Sequence, residues 1–211
     1  LVLGPHRTRP VGDRFLGTTA DRVSRSAAAP CLVVRGELRL PLHRVLVPFD
    51  LSEPARGALD AALGWLDAFG ARDSASGLPD VQLDVVHVIP RLLEPEGLPG
   101  GRATVGPRLQ RDVEAALARA ELGFAVAVRE ELVWGDEPAE EIVRYAREMG
   151  EGLLVMSTHG HGAVARALVG SVASGVARSA GCPVLLVPPA LAGAEDAADA
   201  GRELAGQGTG A

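Results

Sequence analysis

Residues 153–187 read LLVMSTHGHGAVARALVGSVASGVARSAGCPVLLV, and this stretch decides the fold class. Two short apolar runs, Leu153–Met156 and Val184–Val187, have the composition of strands buried in a parallel sheet. Between them, Ser171–Ala180 is rich in small residues and is predicted to form a helix. A strand, a crossover helix and a second strand make one unit of a parallel α/β sheet.

The same alternation extends upstream to residue 44. Three more strands are predicted there, at Arg44–Asp50, Val81–Ile89 and Phe124–Val133. Three more helices are also predicted: the first is capped by Ser52, the second covers Pro107–Leu122, and the third is capped by Asp136. Residues 70–80 and 90–106 are predicted loops, and the second is rich in Gly and Pro. Because crossovers of this kind are right-handed, the sequence predicts an α/β fold with an open, Rossmann-like, five-stranded parallel sheet and helices on both faces.

Composition excludes several classes of function. The chain has 21 basic residues, all of them arginine, against 27 acidic ones, so its formal charge is −6. We therefore expect no nucleic-acid partner and no membrane partner. Without lysine there is no GK[ST] phosphate loop and no Schiff-base nucleophile. Two cysteines, Cys31 and Cys182, are too few for a disulfide framework, and no apolar run approaches the roughly 20 residues that span a bilayer, so a cytoplasmic location is expected.

An internal repeat shapes the predicted domain organisation. Residues 1–34 align without a gap on residues 154–187, with Gly17 on Gly170 and Pro30 on Pro183, a shift of 153 residues. Residues 1–35 are therefore predicted to be the end of a first, truncated domain. Residues 36–42 would be a linker, 43–189 a complete domain and 190–211 a disordered tail. The chain opens on Leu1 in what resembles mid-domain sequence, so we expect it to be a fragment.

The loop after the strand Leu153–Met156 carries the most informative chemistry. Open α/β sheets bind ligands beyond the carboxyl ends of their strands, where the strand order reverses. Here Ser157 and Gly160 are followed, after nine residues, by Gly170 and Ser171 at the start of a helix. Small residues let backbone amides approach phosphate oxygens, and a helix N-terminus adds partial positive charge. The alternative is structural, with both glycines only permitting tight turns and Ser171 only capping the helix.

This pattern resembles the universal stress protein family. Nucleotide-binding members carry G-x2-G-x9-G-[ST] after the fourth strand and an aspartate after the first. Gly160, Gly170 and Ser171 match the pattern, Ser157 replaces its first glycine, and Asp50 in VPFD matches the aspartate. The resemblance covers residues 44–188 and implies a fold like that of the adenine nucleotide alpha hydrolases.

The resemblance implies a role for each site residue. Asp50 would hold the adenosine part of ATP or a related adenine nucleotide. The adenine pocket would be made of Pro48, Val88 and Met156. The ribose and phosphates would be held by Ser157, by the backbone of His159 and Gly160, and by Gly170, Ser171 and Val172. Because no acidic side chain lies in the motif, a divalent ion such as Mg²⁺ or Mn²⁺ could bridge the phosphates but would not be bound by the protein alone.

Other candidates are weaker. His159 and His161 lie two residues apart without a cysteine or carboxylate nearby, which favours ordinary loop histidines over a metal site. The acidic residues Glu137, Glu140 and Glu141 suit the start of a solvated helix. In the first copy, Arg7 stands at the second glycine of the motif, and the aspartate strand is missing, so we expect that copy not to bind nucleotide alone.

The leading interpretation is a nucleotide-binding stress sensor or regulator without turnover, because no base, nucleophile or arginine finger is recognisable. One alternative is an interaction module of the same fold that does not bind nucleotide, and another is an enzyme of the related hydrolase type. Family members dimerise through their last strands. We therefore expect Cys31–Val34 to pair antiparallel with Val184–Val187, within one chain or between two.

Overall fold

The computed structural model describes residues 1–4, 29–34, 37–72, 79–94, 98–150, 152–160 and 169–189. The remaining parts of the first repeat, including Arg7, Gly17 and Thr18, lie outside these ranges, as do His161 and the predicted tail 190–211. None of the helices in the described ranges combines the length and apolar character needed to cross a lipid bilayer.

The described part of the chain forms an α/β fold around one seven-stranded, mostly parallel sheet. The strands are β1 (Val2–Leu3), β2 (Cys31–Val33), β3 (Arg44–Pro48), β4 (Val81–Ile89), β5 (Val126–Trp134), β6 (Leu153–Ser157) and β7 (Val184–Val187). Their order across the sheet is β1-β2-β7-β6-β3-β4-β5, and only the β2–β7 pair is antiparallel. The sheet thus has seven strands where five were predicted, because β1 and β2 extend the five predicted strands β3 to β7.

Four helices cover the two faces of the sheet. They are α1 (Glu53–Phe69), α2 (Arg102–Ala120), α3 (Pro138–Glu148) and α4 (Ser171–Ser179), and a short 3₁₀ helix (Arg91–Leu93) follows β4. Alternate strand residues point to opposite faces, so Val45 and Val155 pack with α1 and α2 while Leu154 and Leu186 pack with α3 and α4. The result is the predicted arrangement of helices on both faces.

Helix α1 begins and ends where its sequence dictates. The Ser52 hydroxyl accepts a hydrogen bond from the Ala55 amide at 3.3 Å, which satisfies one of the amides left over at a helix N-terminus. Buried residues follow at helical spacing, and these are Ala55, Ala58, Leu59, Ala62, Leu63 and Leu66. The Gly70 amide then closes the last turn on the Leu66 carbonyl at 2.7 Å.

Two predicted helix starts are wrong. Helix α2 begins at Arg102, within the segment predicted as a loop, and Pro107 lies inside the helix. Proline is most common in the first turn of a helix, so the sequence pattern places the start at Pro107. Asp136 does not cap α3, whose N-cap is Glu137, because the Asp136 carboxylate accepts a hydrogen bond from the Arg91 amide at 3.0 Å.

The two repeat segments meet at the β2–β7 pair. Cys31, Leu32 and Val33 lie opposite Leu186, Leu185 and Val184 in antiparallel register within one chain. The intramolecular form of the expected pairing is therefore present. Association with a second molecule remains a prediction.

Candidate functional site

A cleft of about 600 Å³ opens beyond the carboxyl ends of β3, β4 and β6. On one side of β3 lie β4 and β5, and on its other side lie β6 and β7. The strand order therefore reverses between β3 and β6. The cleft therefore lies at the topological switch point, where open α/β sheets bind ligands. Its volume is in the range typical of small-molecule sites.

All ten residues predicted for the site line this one cleft. They are Pro48, Asp50, Val88, Met156, Ser157, His159, Gly160, Gly170, Ser171 and Val172. The sequence did not identify nine further lining residues, namely Phe49, Ala55, Val86, His87, Pro138, Ile142, Thr158, Val169 and Ala173. Most of them are immediate neighbours of predicted residues. Pro138 and Ile142 come from α3, and only the folded sheet brings that helix to the cleft.

Asp50 is held by the turn that joins β3 to α1. Its Oδ1 accepts hydrogen bonds from the Ser52 amide at 3.0 Å and from the Ser52 hydroxyl. Leu51 adopts φ +66°, a left-handed conformation that costs a residue with a side chain roughly 1–2 kcal/mol. Strain of this kind persists where the surroundings enforce it, and here it lies in the turn that brings Asp50 into the cleft lining.

Gly160 lies against the Asp50 carboxylate. A Cβ atom at residue 160 would overlap Asp50 Oδ2. Glycine at this position thus lets the loop after β6 and the loop after β3 meet. This contact accounts in physical terms for the glycine at residue 160 of this chain.

Hydrogen bonds within the protein already engage several amides of the loop after β6. The Ser157 hydroxyl accepts a hydrogen bond from the His159 amide at 3.2 Å. The Thr158 amide donates to the Val187 carbonyl at 2.9 Å, and the Gly170 amide donates to the Thr158 carbonyl at 2.7 Å. The amides of His159 and Gly170, both expected to contact ribose or phosphate, are therefore hydrogen-bonded to the protein itself.

The N-terminus of α4 faces the cleft with its first turn. Its N-cap is Gly170, which has no side chain to accept a hydrogen bond, and Ser171, Val172 and Ala173 all line the cleft. The first amides of a helix have no partner inside the helix, and together with the helix dipole they attract anions. This end of α4 is the strongest anion-attracting feature among the described residues of the cleft.

His159 contributes an imidazole whose hydrogen bonding is incomplete. Its Nδ1 lies 2.8 Å from the Thr158 hydroxyl. Its Nε2 is buried and has no hydrogen-bond partner in the part of the chain that the structure describes. A buried polar atom without a partner costs about 1–3 kcal/mol, so a ligand that supplied one would be favoured.

A polar network under α3 fixes the wall that this helix contributes. Tyr145 donates to Asp84 Oδ1 at 3.4 Å, Gln82 donates to the same oxygen at 3.0 Å, and Arg129 lies 3.7 Å from it. Burial and the neighbouring Asp84 carboxylate raise the pKa of Tyr145 to about 12, so its hydroxyl remains a donor throughout the physiological range. This network holds α3 on the sheet and thereby places Ile142 in the cleft.

The cleft therefore combines an apolar wall with a small polar end. The titratable side chains among its described lining residues are Asp50, His87 and His159, and no arginine belongs to that set. Nowhere in the described ranges are three or more His, Cys, Asp or Glu side chains grouped to hold a metal ion. Such a site can bind a small, partly apolar molecule that carries an anionic group at one end.

Comparisons with known proteins agree with this architecture. A model of the universal stress protein family matches residues 41–188. Universal stress protein MJ0531 of Methanocaldococcus jannaschii is 31% identical over 149 residues, which is 68% of this chain and 81% of the relative. Universal stress protein Rv2005c of Mycobacterium tuberculosis is 34% identical over 157 residues, 69% of this chain, and the match spans 48% of that relative. A solved universal stress protein in complex with cAMP superposes with a TM-score of 0.51 at 25% identity, covering 70% of this chain and 97% of the other.

Proposed function

This chain belongs to the universal stress protein family, and we propose that its residues 43–189 bind ATP or a related adenine nucleotide as a stress-response sensor or regulator. The observation that carries the proposal is the cleft at the switch point, where Asp50, the apolar wall and the N-terminus of α4 converge. The cAMP complex of a similar universal stress protein supports an adenine nucleotide as the ligand class.

Each part of the cleft suits one part of the nucleotide. Pro48, Val88 and Met156 offer apolar surface to the adenine ring. Asp50, oriented by its hydrogen bonds to Ser52, accepts hydrogen bonds from the ribose hydroxyls. The first turn of α4 donates amides to phosphate oxygens. A divalent ion such as Mg²⁺ or Mn²⁺ would bridge phosphate oxygens and keep water ligands, because the described lining supplies a single carboxylate.

We propose binding without turnover. Hydrolysis of a phosphate bond needs a group that positions the attacking water and a cation that stabilises the transition state. Among the described lining residues, Asp50 is hydrogen-bonded to Ser52, and no arginine is present. Multiple turnover of ATP well above a blank without protein would contradict this part of the proposal.

The experiment that tests nucleotide binding is mass analysis of the small molecules that heat releases from the purified protein. We expect an adenine nucleotide from the wild type and none from Asp50→Ala. Asp67→Ala is the matched control, since Asp67 is an exposed carboxylate of α1 outside the cleft lining. A wild type that releases no nucleotide and shows no thermal shift with ATP and Mg²⁺ would contradict the proposal.

A second candidate function is an interaction module that does not bind nucleotide. The observation that favours it is Ser157, whose hydroxyl engages an amide of the expected phosphate loop. If the wild type is empty and unresponsive to nucleotide, Ser157→Gly distinguishes a recently lost site from an absent one, because only a lost site would regain binding.

We also propose that the chain carries parts of two tandem domains. The pairs Val2–Leu32 and Leu3–Val33 become Val155–Leu185 and Met156–Leu186 after a shift of 153 residues, and both sets are parallel neighbours in the sheet. The sequence repeat and the strand register thus agree. The 48% coverage of the mycobacterial relative is consistent with this organisation.

A further inference from the structure

We propose that Ser157 sets the phosphate number of the ligand, so that the cleft prefers adenine nucleotides with a single phosphate group, open or cyclic, over the triphosphate. This inference rests on the proposed function, because it concerns the specificity of the same cleft. It starts from the one position at which the loop departs from the glycine motif.

The Ser157 hydroxyl accepts the hydrogen bond that the His159 amide could otherwise donate to a phosphate oxygen. Its Oγ accepts that N–H at 3.2 Å, and Ser157 is only 8% exposed. Glycine at residue 157 has no such acceptor, so it would leave the amide to the ligand. The serine therefore acts as an internal substitute for one phosphate contact.

Two neighbouring amides are also engaged by the protein. The Thr158 amide is bonded to the Val187 carbonyl, and the Gly170 amide is bonded to the Thr158 carbonyl. Phosphate contacts from the described residues are thereby concentrated on the first turn of α4, where Ser171 and Val172 line the cleft. One helix N-terminus presents about half a positive charge and a few converging amides, a set that matches one phosphate group.

Charge leads to the same conclusion. The described lining contains no arginine and one carboxylate, Asp50, whose charge repels added phosphate groups. A triphosphate brings two further phosphate groups that need donors or cations to offset their desolvation. With the His159 amide engaged by Ser157, the second and third groups gain little from the described protein atoms.

The test compares the dissociation constants of adenosine, AMP, cAMP and ATP with Mg²⁺ by calorimetry for the wild type, Ser157→Gly and Ser157→Ala. In the wild type we expect AMP or cAMP to bind at least as tightly as ATP. Ser157→Gly frees the His159 amide, and a hydrogen bond to a charged acceptor should then improve ATP binding relative to AMP by about tenfold. Ser157→Ala frees the amide but keeps a Cβ atom, so its ratio should move in the same direction by less.

A measurement on the wild type alone guards against variants that fold poorly. In ¹H–¹⁵N spectra, added AMP should shift the amides of Ser171 and Val172 while the His159 amide moves little, because it stays bonded to Ser157. A His159 amide shift as large as those two would overturn the inference.

The outcomes separate the inference from the function on which it rests. Absence of binding by every nucleotide contradicts nucleotide binding itself. A wild type that binds ATP more tightly than both AMP and cAMP leaves the function intact and overturns the role of Ser157. A preference for AMP that neither variant changes also overturns it, whereas a shift towards ATP in both variants supports it.

Discussion

The segments 1–34 and 154–187 share a sequence pattern but have different surroundings. Val2 is 70% exposed, whereas Val155, which aligns with it, is 0% exposed, although both pair in parallel with the aligned residues Leu32 and Leu185. The difference is position in the sheet, since β6 lies between β7 and β3 while β1 is an edge strand. Strand identity therefore follows from local sequence, and burial follows from the neighbours that a strand acquires.

The largest expected effect is a difference in stability between matched leucine deletions. Leu154 is 0% exposed and Leu1, which aligns with it, is 61% exposed. Leu154→Ala should lower the free energy of unfolding by about 3 kcal/mol through lost burial and a cavity. Leu1→Ala should change it by less than about 0.5 kcal/mol. Urea unfolding followed by circular dichroism measures both values.

Equal losses in the two leucine variants would break the comparison. They would mean that the β1 edge is covered in solution, as happens when an exposed strand pairs with another chain. Repeating the unfolding at several protein concentrations distinguishes this case, because the stability of an associated form depends on concentration.

The comparison also shows what could be predicted of the fold. The five parallel strands of residues 44–187 were predicted because short, mostly apolar runs such as Val81–Ile89 and Val184–Val187 alternate with helical patterns, and the structure has strands with those bounds. The sheet has seven strands and not five because β2 pairs with β7 and β1 pairs with β2, and the extent of a sheet depends on such tertiary contacts. The start of α2 was missed because its N-cap, Gly101, has no capping side chain to mark it.

Site residues could be predicted where a loop carries a recognisable sequence pattern, as the loop after β6 does. The glycine spacing and Asp50 pointed to the family, the resemblance then implied ten site residues, and the structure brings all ten into one cleft. The side chain of Ile142 reaches the cleft from another element, so its place depends on how α3 crosses the sheet. The bond from the His159 amide to Ser157 depends on atomic positions that no spacing reveals.

The second prediction introduces a side chain where the first copy has one. Arg7 aligns with Gly160, and even a Cβ atom at residue 160 would overlap the Asp50 carboxylate. Gly160→Ala should therefore weaken adenine nucleotide binding by about tenfold, which is ~1.4 kcal/mol, while the midpoint of thermal unfolding changes little. Gly123→Ala is a matched control, because a Cβ atom there would have no neighbour within 4 Å.

Unchanged affinity in Gly160→Ala would mean that the contact with Asp50 is not part of the binding geometry. The loss of nucleotide binding expected for the first copy would then rest on its missing aspartate strand and not on the side chain at residue 7. The affinities are measured by calorimetry with AMP and ATP, so that a change in either ligand is detected.

The smallest expected effect is a shift in a pH profile at the junction of the two segments. Cys31 is buried in β2, opposite Leu186 of β7, and burial raises the pKa of its thiol above the ordinary value, with a smaller opposing effect of the N-terminal ammonium. The thiolate is the reactive form, so in a Cys182→Ala background the rate of Cys31 alkylation should rise at higher pH in the folded protein than in the urea-unfolded chain.

If the N-terminal segment left β7 in solution, Cys31 would lose the burial that raises its pKa, and the two pH profiles would coincide. A gap between the profiles would show that the segment stays docked at the β2–β7 pair, so that the exposure of β1 reflects its place at the sheet edge and not a detached strand.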